Sequence, residues 1–497
     1  MRKKFLTNLG LLMFLNLLVK PFWVLGVDRS VQNAVGAEQY GFYFSLLNFS
    51  FLFNIILDMG ITNFNNRNIA QNNHLLNKHF SGIIILRFIL AGIYAIVTFG
   101  VGIIIGYDNS QLILLSWVVL NQFLLSLILY LRSNISGLLL FKTDSMLSVL
   151  DRLLMILFIS ILLWGNVTEA KFRIEWFVYA QTVAYGITAL TALAIVMHKA
   201  SFKRLNWNFP FFVMIIKKSL PYALLILLMM MYSRIDTVLI ERLLPGDTGS
   251  QQAGVYAQAY RLLDATNMIA FLFAVLLLPI FAKMLKTKEP VEKMVRLSFS
   301  ILFTISVIVA FSSYFYSSEI MHWLYPIHDF ESASEYSVRM EQSAKAFSLL
   351  MFAFVAISTS YVFGTLLTAN GSLKQLNIIA GAGVVVSFTV NYLLIPKLLS
   401  VGSAYASLSA QFLNAGAQVV VARILFKFKP DKKFVSVLII FVIGVLLAGY
   451  YSRFLPYDWK ANLVIMILIS GVLSIVLRLM HIKEFIRIIK DEKEPDK

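Results

Sequence analysis

The chain has 497 residues, of which 59% are hydrophobic and only 14% charged, and its mean hydropathy is +0.77. A soluble domain carries about 25% charged residues, so this composition excludes a water-soluble protein and predicts one that has lipid as its solvent. The net charge of +17 would suit a nucleic-acid binder, but the basic residues lie in short loops between apolar runs, and we therefore expect no nucleic acid as partner.

Apolar runs long enough to cross a bilayer recur from end to end. A spanning helix needs about 20 apolar residues, and this measure predicts about fourteen of them. The first follows Met1–Lys4 without a small-residue cleavage site, so we interpret it as a spanning helix rather than a secretory signal. A basic amphipathic tail on the membrane surface is predicted from residue 482 onwards. The predicted spans are residues 5–27, 40–62, 80–106, 111–140, 145–165, 174–198, 212–242, 252–284, 294–316, 343–369, 373–395, 400–426, 433–453 and 459–480.

Loops rich in lysine and arginine alternate with loops poor in them along the whole chain. The even-numbered loops, with Lys203, Lys286 and Lys432 as examples, together with the termini hold about 28 basic residues, against about 9 in the other loops. Loops rich in lysine and arginine stay in the cytoplasm. The pattern therefore predicts that both termini and all even-numbered loops are cytoplasmic.

Cysteine is absent, which excludes disulfides, thiolate metal sites, cysteine nucleophiles and cysteine lipidation. The largest predicted outer loop, residues 317–342, holds two histidines and, among its acidic residues, three that could join them at a metal. Their spacing matches no metal-ligand pattern, so we expect a solvated loop and no metal. These residues are His322, His328, Asp329, Glu331 and Glu335.

Two pairs of segments repeat at an offset of six helices. Glu38–Tyr43 and Gln251–Tyr256 share glutamine, any residue, glycine, an apolar residue and tyrosine, and Gly137–Ser145 is echoed more faintly by Gly364–Ser372. Motifs this short also recur by chance, but both pairs have the same offset. Six helices restore the original orientation, so a duplication predicts two parallel lobes, as in transporters. The predicted lobes are residues 1–200 and 201–430, followed by two added helices and the tail in residues 431–497.

Ionisable residues lie inside several predicted spans. Each costs about 2.5–3.5 kcal/mol on insertion scales, so these side chains should face one another or an aqueous cavity. Basic residues outnumber acidic ones, and guanidinium groups match phosphate oxygens in pairs of hydrogen bonds. The surplus predicts a cationic cavity for an anionic cargo. The basic residues are Lys20, Arg87, Arg132, Arg152, Arg234 and Arg261, and the acidic ones are Asp58, Asp151, Asp236 and Asp264.

Each of these residues also has a structural explanation. Arg261 and Asp264 are three residues apart on one helix face, where they can neutralise each other. Arg132 can pair with Asp151 of the neighbouring helix as a brace. The sequence alone does not choose between bracing and function for any single residue.

Two further residues and one proline lie near predicted helix ends. Asp58 can act as a cap there, and Arg87 can extend its side chain towards the cytoplasm. The Lys20–Pro21 pair predicts a break in the first helix, because proline removes a backbone donor and permits bending.

Motifs along nearly the whole chain are similar to those of one known family. They are Val35–Tyr43, Asp58–Gly60 and Arg67–Ala70 in the first half, and Arg234–Ile240 and Ala253–Arg261 in the second. With the fourteen-helix count, the chain resembles the polysaccharide-transport branch of the multidrug/oligosaccharidyl-lipid/polysaccharide (MOP) exporter superfamily, the Wzx-type O-antigen and capsule flippases.

The resemblance implies a V-shaped core of two six-helix lobes plus two added helices. It implies alternating access that carries an undecaprenyl-diphosphate-linked oligosaccharide from the inner to the outer leaflet of the bacterial cytoplasmic membrane. We accordingly expect a transporter and not an enzyme, a monomer, and a glycan polymerase and export machinery as partners. We expect no cofactor beyond a coupling proton or sodium ion.

The resemblance also places several of the charged residues on helices that line the cavity of that family. We predict substrate-binding roles for the six basic residues and ion coupling for three carboxylates. Those on the cavity-lining helices are Lys20, Asp58, Arg234, Asp236, Arg261 and Asp264. The predicted coupling carboxylates are Asp58, Asp236 and Asp264.

Three other functions remain as alternatives. Lipid II flippases carry an arginine-rich first helix, whereas Lys20 stands alone here with Arg29 just outside, so lipid II is the second candidate. A drug exporter of the same superfamily should have an acidic or aromatic cavity. A membrane glycan polymerase or glycosyltransferase should carry catalytic groups in long outer loops, which the sequence lacks.

Overall fold

The computed structural model is helical throughout, with no strand among the residues it describes. The all-α membrane fold predicted from hydropathy is therefore confirmed. The chain divides into two compact units, residues 1–254 and residues 255–497. The structure describes residues 15, 18–19, 21–62, 65, 69, 75–138, 140–165, 170–199, 209–328, 331–429 and 431–480.

Fourteen α-helices are described, numbered here in chain order. Helix α8 begins in the first unit and continues into the second. Those before it are α1 (Arg29–Leu52), α2 (Ile55–Asp58), α3 (Leu75–Ile104), α4 (Asn109–Gly137), α5 (Phe141–Trp164), α6 (Ile174–Lys199) and α7 (Phe209–Leu243). From α8 onwards they are α8 (Asp247–Thr287), α9 (Glu292–Leu324), α10 (Ala333–Ala369), α11 (Leu373–Leu398), α12 (Ser400–Phe426), α13 (Lys432–Ser452) and α14 (Trp459–Val476).

Twelve of the described helices, α3–α14, are long and apolar enough to cross a membrane. They correspond to the third to fourteenth spans that hydropathy predicts, and they make this a multi-pass membrane protein. The first predicted span, residues 5–27, lies mostly outside the described residues. The boundaries near residues 200 and 430 and the V shape stay predictions.

The start of the first unit departs from a regular α-helix. The predicted break at Pro21 takes the form of a π-helical turn at Trp23–Asp28, which leads directly into α1. Helix α1 begins at Arg29, well before the second predicted span, because the polar residues that precede Tyr40 are helical although they are not apolar. Gly36 interrupts α1 with a φ of 81°, a conformation open to glycine at little cost.

Apolar side chains pack between helices inside each unit. In the first, Phe80 of α3 stacks on Tyr130 of α4 at a centroid distance of 6.2 Å, and both are buried. In the second, α13 and α14 pack against α9 around Val445, Met466 and Tyr316. The Tyr316 hydroxyl lies 2.7 Å from the Ser452 hydroxyl, so a hydrogen bond reinforces the attachment of α13 to α9.

The prediction of a long solvated loop at residues 317–342 is wrong. Helix α9 continues to Leu324, and α10 already begins at Ala333, where Ser332 and Glu335 form a capping box. A hydropathy measure ends a helix where polar residues begin, whereas caps and amphipathic turns extend it further.

The short connection between α9 and α10 is held by an ion pair. Arg339 donates from Nε to Glu331 Oε1 at 2.7 Å and from Nη2 to Oε2 at 2.8 Å. Partial burial favours a higher pKa for Glu331, but the hydrogen bonds and charge of Arg339 outweigh it and hold the pKa of that carboxyl below its usual value. His328 is buried beside it, and Asp329 lies outside the described residues. Across the described ranges, no group of three or more His, Cys, Asp or Glu residues is arranged to hold a metal.

Three helices of the second unit end on a basic residue in the left-handed conformation. Lys288 after α8, Lys427 after α12 and Arg478 after α14 have φ values of 58°, 54° and 56°. Glycine is the usual residue at such helix ends, because a side chain is disfavoured there. By contrast, the turns after α3, α7 and α10 have glycine in this conformation, at Gly106, Gly246 and Gly371.

Candidate functional site

Two of the predicted site residues, Arg87 and Asp58, lie in direct contact in the first unit. Arg87 is only 1% exposed, and its Nη2 lies 2.5 Å from Asp58 Oδ1. Its Nη1 donates to the Leu57 carbonyl oxygen at 2.8 Å and to Ser126 Oγ at 2.6 Å, and Nη2 also donates to Thr62 Oγ1 at 2.7 Å. This arrangement braces α2 against α3 and α4.

Asp58 also caps the backbone that follows it. It accepts the backbone N–H groups of Gly60 and Thr62, each at 3.1 Å. The capping role considered for Asp58 is confirmed. The extension of Arg87 towards the cytoplasm is wrong, because its guanidinium bonds to buried partners instead.

Arg132 pairs with Asp144 rather than with the expected Asp151. Its Nε lies 2.8 Å from Asp144 Oδ1. The two residues flank the short connection between α4 and α5, so the ends of these helices bring them together, whereas Asp151 lies about two turns further along α5. Asp151 instead lies beside Arg152, at the longer distance of 3.7 Å.

Arg152 lies beside an aromatic cluster in the first unit. Its guanidinium carbon lies 5.6 Å from the centre of the Trp23 ring, which stacks on Phe177 at 6.0 Å. Tyr43 packs edge-on against Phe177 at 5.3 Å, and its hydroxyl lies 3.0 Å from Gln181 Nε2. A cation, aromatic faces, a hydroxyl and an amide therefore lie close together, which is a set of groups suited to a phosphorylated sugar.

A buried carboxylate next to this cluster is absent from the charged residues predicted from the sequence. Asp28 is fully buried and accepts hydrogen bonds from the Tyr40 hydroxyl at 2.9 Å and from Gln32 Nε2 at 3.1 Å. The predicted first span ended at residue 27, so Asp28 was counted outside the membrane. Its four-residue spacing from Gln32, one helical turn, was the available signal.

Arg234 and Asp236 lie on α7. The Arg234 guanidinium carbon is 5.5 Å from the centre of the Phe51 ring. Asp236 is 1% exposed and precedes Thr237, whose hydroxyl accepts a hydrogen bond from Asn48 Nδ2 at 3.0 Å. Arg234 therefore lies on the α7 surface that packs against α1, whereas Asp236, two residues further on, is buried on another face of α7.

In the second unit, Arg261 and Asp264 approach each other on one face of α8. The distance from Arg261 Nη1 to Asp264 Oδ2 is 3.8 Å, which is close to the limit of an ion pair, and both side chains are largely buried. The possibility that they neutralise each other therefore has a geometric basis. Lys20, the remaining predicted basic residue, lies outside the described residues.

A cavity of about 700 Å³ opens within the first unit, at the end that the sequence predicts to be outside. Glu241 accepts a hydrogen bond from Gln111 Nε2 at 2.5 Å and another from the Ser45 hydroxyl. Arg242 lies over the Tyr107 ring at 4.3 Å. Acidic residues outnumber basic ones in the lining, so this cavity is not the cationic one that the sequence predicts. Its charged residues are Glu38, Asp108, Glu175, Glu241 and Asp247 with Arg173 and Arg242.

Solved structures share this fold at low sequence identity. A lipid II flippase, MurJ, in an inward closed conformation has a TM-score of 0.66 and 14% identity, over 94% of this chain and 98% of that one. An outward-facing multidrug resistance MATE family transporter of the MOP superfamily has a TM-score of 0.59 and 14% identity, over 85% and 95%. A MOP superfamily transporter from Pyrococcus furiosus has a TM-score of 0.58 and 13% identity, also over 85% and 95%.

The family comparison covers more than half of the chain. The sequence model described as "Polysaccharide biosynthesis protein" matches residues 7–285. No curated protein matches the chain by sequence. The family match and the fold agree with the resemblance stated from the motifs, and the chain belongs to the polysaccharide biosynthesis protein family, with the fold of the MOP superfamily.

Proposed function

We propose that this protein is a flippase that moves a polyprenyl-diphosphate-linked oligosaccharide from the inner to the outer leaflet by alternating access. The family match supports a role in polysaccharide biosynthesis, and the similar solved structures are transporters rather than enzymes. The observation that carries the proposal is the position of Arg152, a partly buried cation over the Trp23 ring at the edge of an aromatic cluster.

Distances divide the predicted substrate-binding arginines into two groups. Arg87 and Arg132 hold their carboxylates at 2.5 and 2.8 Å, so a phosphate would have to break a short ion pair to reach them. Arg152 and Arg261 hold theirs at 3.7 and 3.8 Å. A long pair is weaker, because Coulomb energy and hydrogen bonding both fall with distance. We therefore propose that Arg152 is the arginine of the first unit that binds the diphosphate, and that Arg87 and Arg132 brace the helices.

The acidic outer cavity fits the release of such a cargo. Its carboxylates and the Gln111 amide can accept hydrogen bonds from sugar hydroxyls, as polar groups in carbohydrate sites do. The same carboxylates repel a diphosphate. A cargo that reaches this end is therefore held by its sugars and not by its phosphates.

Replacing Arg152 with glutamine should lower the rate of flipping about tenfold or more, the loss expected when one charge-assisted phosphate contact of about 1.5–3 kcal/mol is removed. The measurement is transfer of a fluorescent undecaprenyl-diphosphate-linked oligosaccharide across vesicles that contain the purified protein. Arg152→Lys should retain part of the rate, because it keeps the charge but not the planar fork.

Arg132→Gln is the matched control for this experiment. It removes a similarly exposed guanidinium from the neighbouring helix, and it should lower the melting temperature while the folded protein still flips at close to the normal rate. Equal rates for Arg152→Gln and the unmodified protein would contradict the proposed role of Arg152.

Ion coupling is the second part of the proposed function, and Asp264 is the carboxylate that separates coupling from simple pairing. If Asp264 binds the coupling cation, Asp264→Asn should lose its response to an imposed proton or sodium gradient, and Arg261→Gln/Asp264→Asn should stay inactive. If Asp264 only neutralises Arg261, the double variant should recover much of the activity that either single variant loses. Flipping in vesicles with imposed gradients measures both outcomes, and an Asp264→Asn protein with a full gradient response would exclude Asp264 from coupling.

Lipid II is the second candidate cargo, because the lipid II flippase shares the fold over nearly its whole length. Both cargoes carry a polyprenyl diphosphate and differ in the sugars. Parallel vesicle assays with lipid II and with a diphosphate-linked O-antigen or capsule repeat unit decide between them. Faster flipping of lipid II would overturn the preferred cargo and leave the flippase activity in place.

A further inference from the structure

A second pocket lies in the second unit, where the two added helices meet α9. It has a volume of about 320 Å³ and is formed by the first turns of α9 and α13 and the end of α14. The sequence predicts that these three helix ends face the cytoplasm. The pocket is therefore expected at the level of the inner-leaflet headgroups.

Four basic side chains and one carboxylate line the pocket, namely Lys293, Arg296, Lys433, Arg478 and Asp431. Arg296 is engaged by Asp431 at 2.6 Å and by Glu292 at 3.5 Å, and its guanidinium lies 5.1 Å from the Phe434 ring. Lys433 and Arg478 form no ion pair with any residue that the structure describes. The pocket thus carries an excess of positive charge.

The backbone holds Arg478 at the rim of this pocket. The Leu479 N–H donates to the Ser474 carbonyl at 2.9 Å and the Arg478 N–H to the Ile475 carbonyl at 3.0 Å, which closes the end of α14 with Arg478 in the left-handed position. Leu479 is buried in the apolar cluster that joins α9, α13 and α14. Burial of Leu479 therefore fixes where the Arg478 side chain leaves the helix.

Apart from Ser300, the rest of the lining is apolar, namely Leu297, Phe434, Val437, Leu477 and Leu479. The basic rim and the apolar wall of this pocket together suit a molecule that has a phosphate at one end and a hydrocarbon chain at the other. Basic pockets between transmembrane helices on the cytoplasmic side bind the headgroups of anionic lipids.

We propose that this pocket binds the phosphate headgroup of an anionic glycerophospholipid of the inner leaflet. The volume of about 320 Å³ accommodates a phosphoglycerol group, whereas an attached oligosaccharide would have to extend out of it. A lipid held there contacts α9, α13 and α14 at once and stabilises the attachment of the added helices. The site is independent of which cargo the protein carries.

The test is lipid retention by the full-length protein with Lys433→Gln and Arg478→Gln combined. Delipidated protein is titrated with phosphatidylglycerol or phosphatidylcholine and examined by native mass spectrometry and thermal shift. We expect phosphatidylglycerol, but not phosphatidylcholine, to bind and raise the melting temperature, and we expect the double variant to bind it at least about fivefold more weakly, a change of about 1 kcal/mol. Lys433→Arg/Arg478→Lys should retain binding because it preserves both charges.

The matched control is Lys286→Gln with Lys374→Gln, which removes two exposed charges from the same predicted side without touching the pocket. It should bind phosphatidylglycerol normally. Equal binding by the pocket variant and this control would overturn the proposal, as would equal binding of phosphatidylcholine. Binding of pyrophosphate or undecaprenyl phosphate, weakened in the pocket variant, together with no binding of phosphatidylglycerol would reassign the pocket to the cargo lipid and also overturn the proposal.

Discussion

Replacing Gly254 with alanine should prevent the start of α8 from packing against α1. An added Cβ at residue 254 would lie 1.8 Å from the carbonyl oxygen of Ala37 and 2.5 Å from its carbonyl carbon. Neither is a side chain that can rotate away, so the helices must separate. Overpacking lowers the free energy of unfolding by about 1–3 kcal/mol and occasionally more. Because the added Cβ meets backbone atoms, we expect a loss at the upper end of that range. We expect a lower melting temperature and a smaller yield of monodisperse protein.

Gly41→Ala should have the same effect, since its Cβ would lie 1.9 Å from the Ser250 carbonyl oxygen. Gly381→Ala is the control, because no atom lies within 4 Å of the added Cβ and alanine favours a helix. We expect it to be neutral or slightly stabilising. If Gly254→Ala melts at the same temperature as Gly381→Ala, the close approach of α1 and α8 is not present in the membrane.

The same contact explains the repeated motif found in the sequence. Gly41 and Gly254 occupy the matching position of the two glutamine-x-glycine-apolar-tyrosine segments, and both lie in the first unit. The Cβ of an alanine at residue 41 would lie 2.4 Å from the Gly254 backbone nitrogen. Each segment therefore needs glycine at this position because the backbone of the other helix lies against it. The motif thus has a packing function.

Replacing Arg87 with methionine should be among the most destabilising single changes in the first unit. It leaves Asp58 without its charged partner and removes donors from the Leu57 carbonyl and Ser126. Breaking a buried pair from one side costs about 3–5 kcal/mol, and the partial exposure of Asp58 places the expected loss near 3 kcal/mol. The measurement is the melting temperature of the purified protein.

Arg87→Met/Asp58→Asn should recover part of the lost stability, because no unpaired charge then remains. Arg453→Met provides the control: it breaks an exposed pair with Glu319 at 3.3 Å, and such pairs contribute about 0–1 kcal/mol. A loss for Arg87→Met no larger than that of Arg453→Met would mean that the buried network does not hold α2 against α3.

Hydropathy alone predicted the spans α3–α14, because crossing a bilayer demands a long apolar stretch whatever the neighbours are. The pairing of buried charges was less predictable. Which helices lie next to each other decides that Arg87 pairs with Asp58 and Arg132 with Asp144. Helical periodicity in the sequence shows only which face of its own helix a residue lies on. The pair Arg261 and Asp264 was predictable because both residues are on one helix.

Residues at the ends of predicted spans were the most often misjudged. Asp28 and Glu241 lie at or just beyond predicted boundaries, and they were left out of the buried charges although Asp28 accepts a hydrogen bond from Tyr40 of α1 and Glu241 one from Gln111 of α4. The helices around residues 317–342 were cut short for the same reason. Hydropathy measures lipid contact, and these segments are stabilised by caps and polar contacts with protein.

The basic residues in left-handed positions have a consequence for how the chain is inserted during synthesis. Lys288, Lys427 and Arg478 end their helices on the side that the sequence predicts to be cytoplasmic, where Gly371 also follows α10. Gly106 and Gly246 follow helices that end on the predicted outer side. Glycine would end each helix with less strain, but it would remove a charge that retains the loop in the cytoplasm. At these three positions the chain gives up local conformational stability, and on the predicted topology the residue that ends each helix also supplies a charge that favours cytoplasmic retention of the loop.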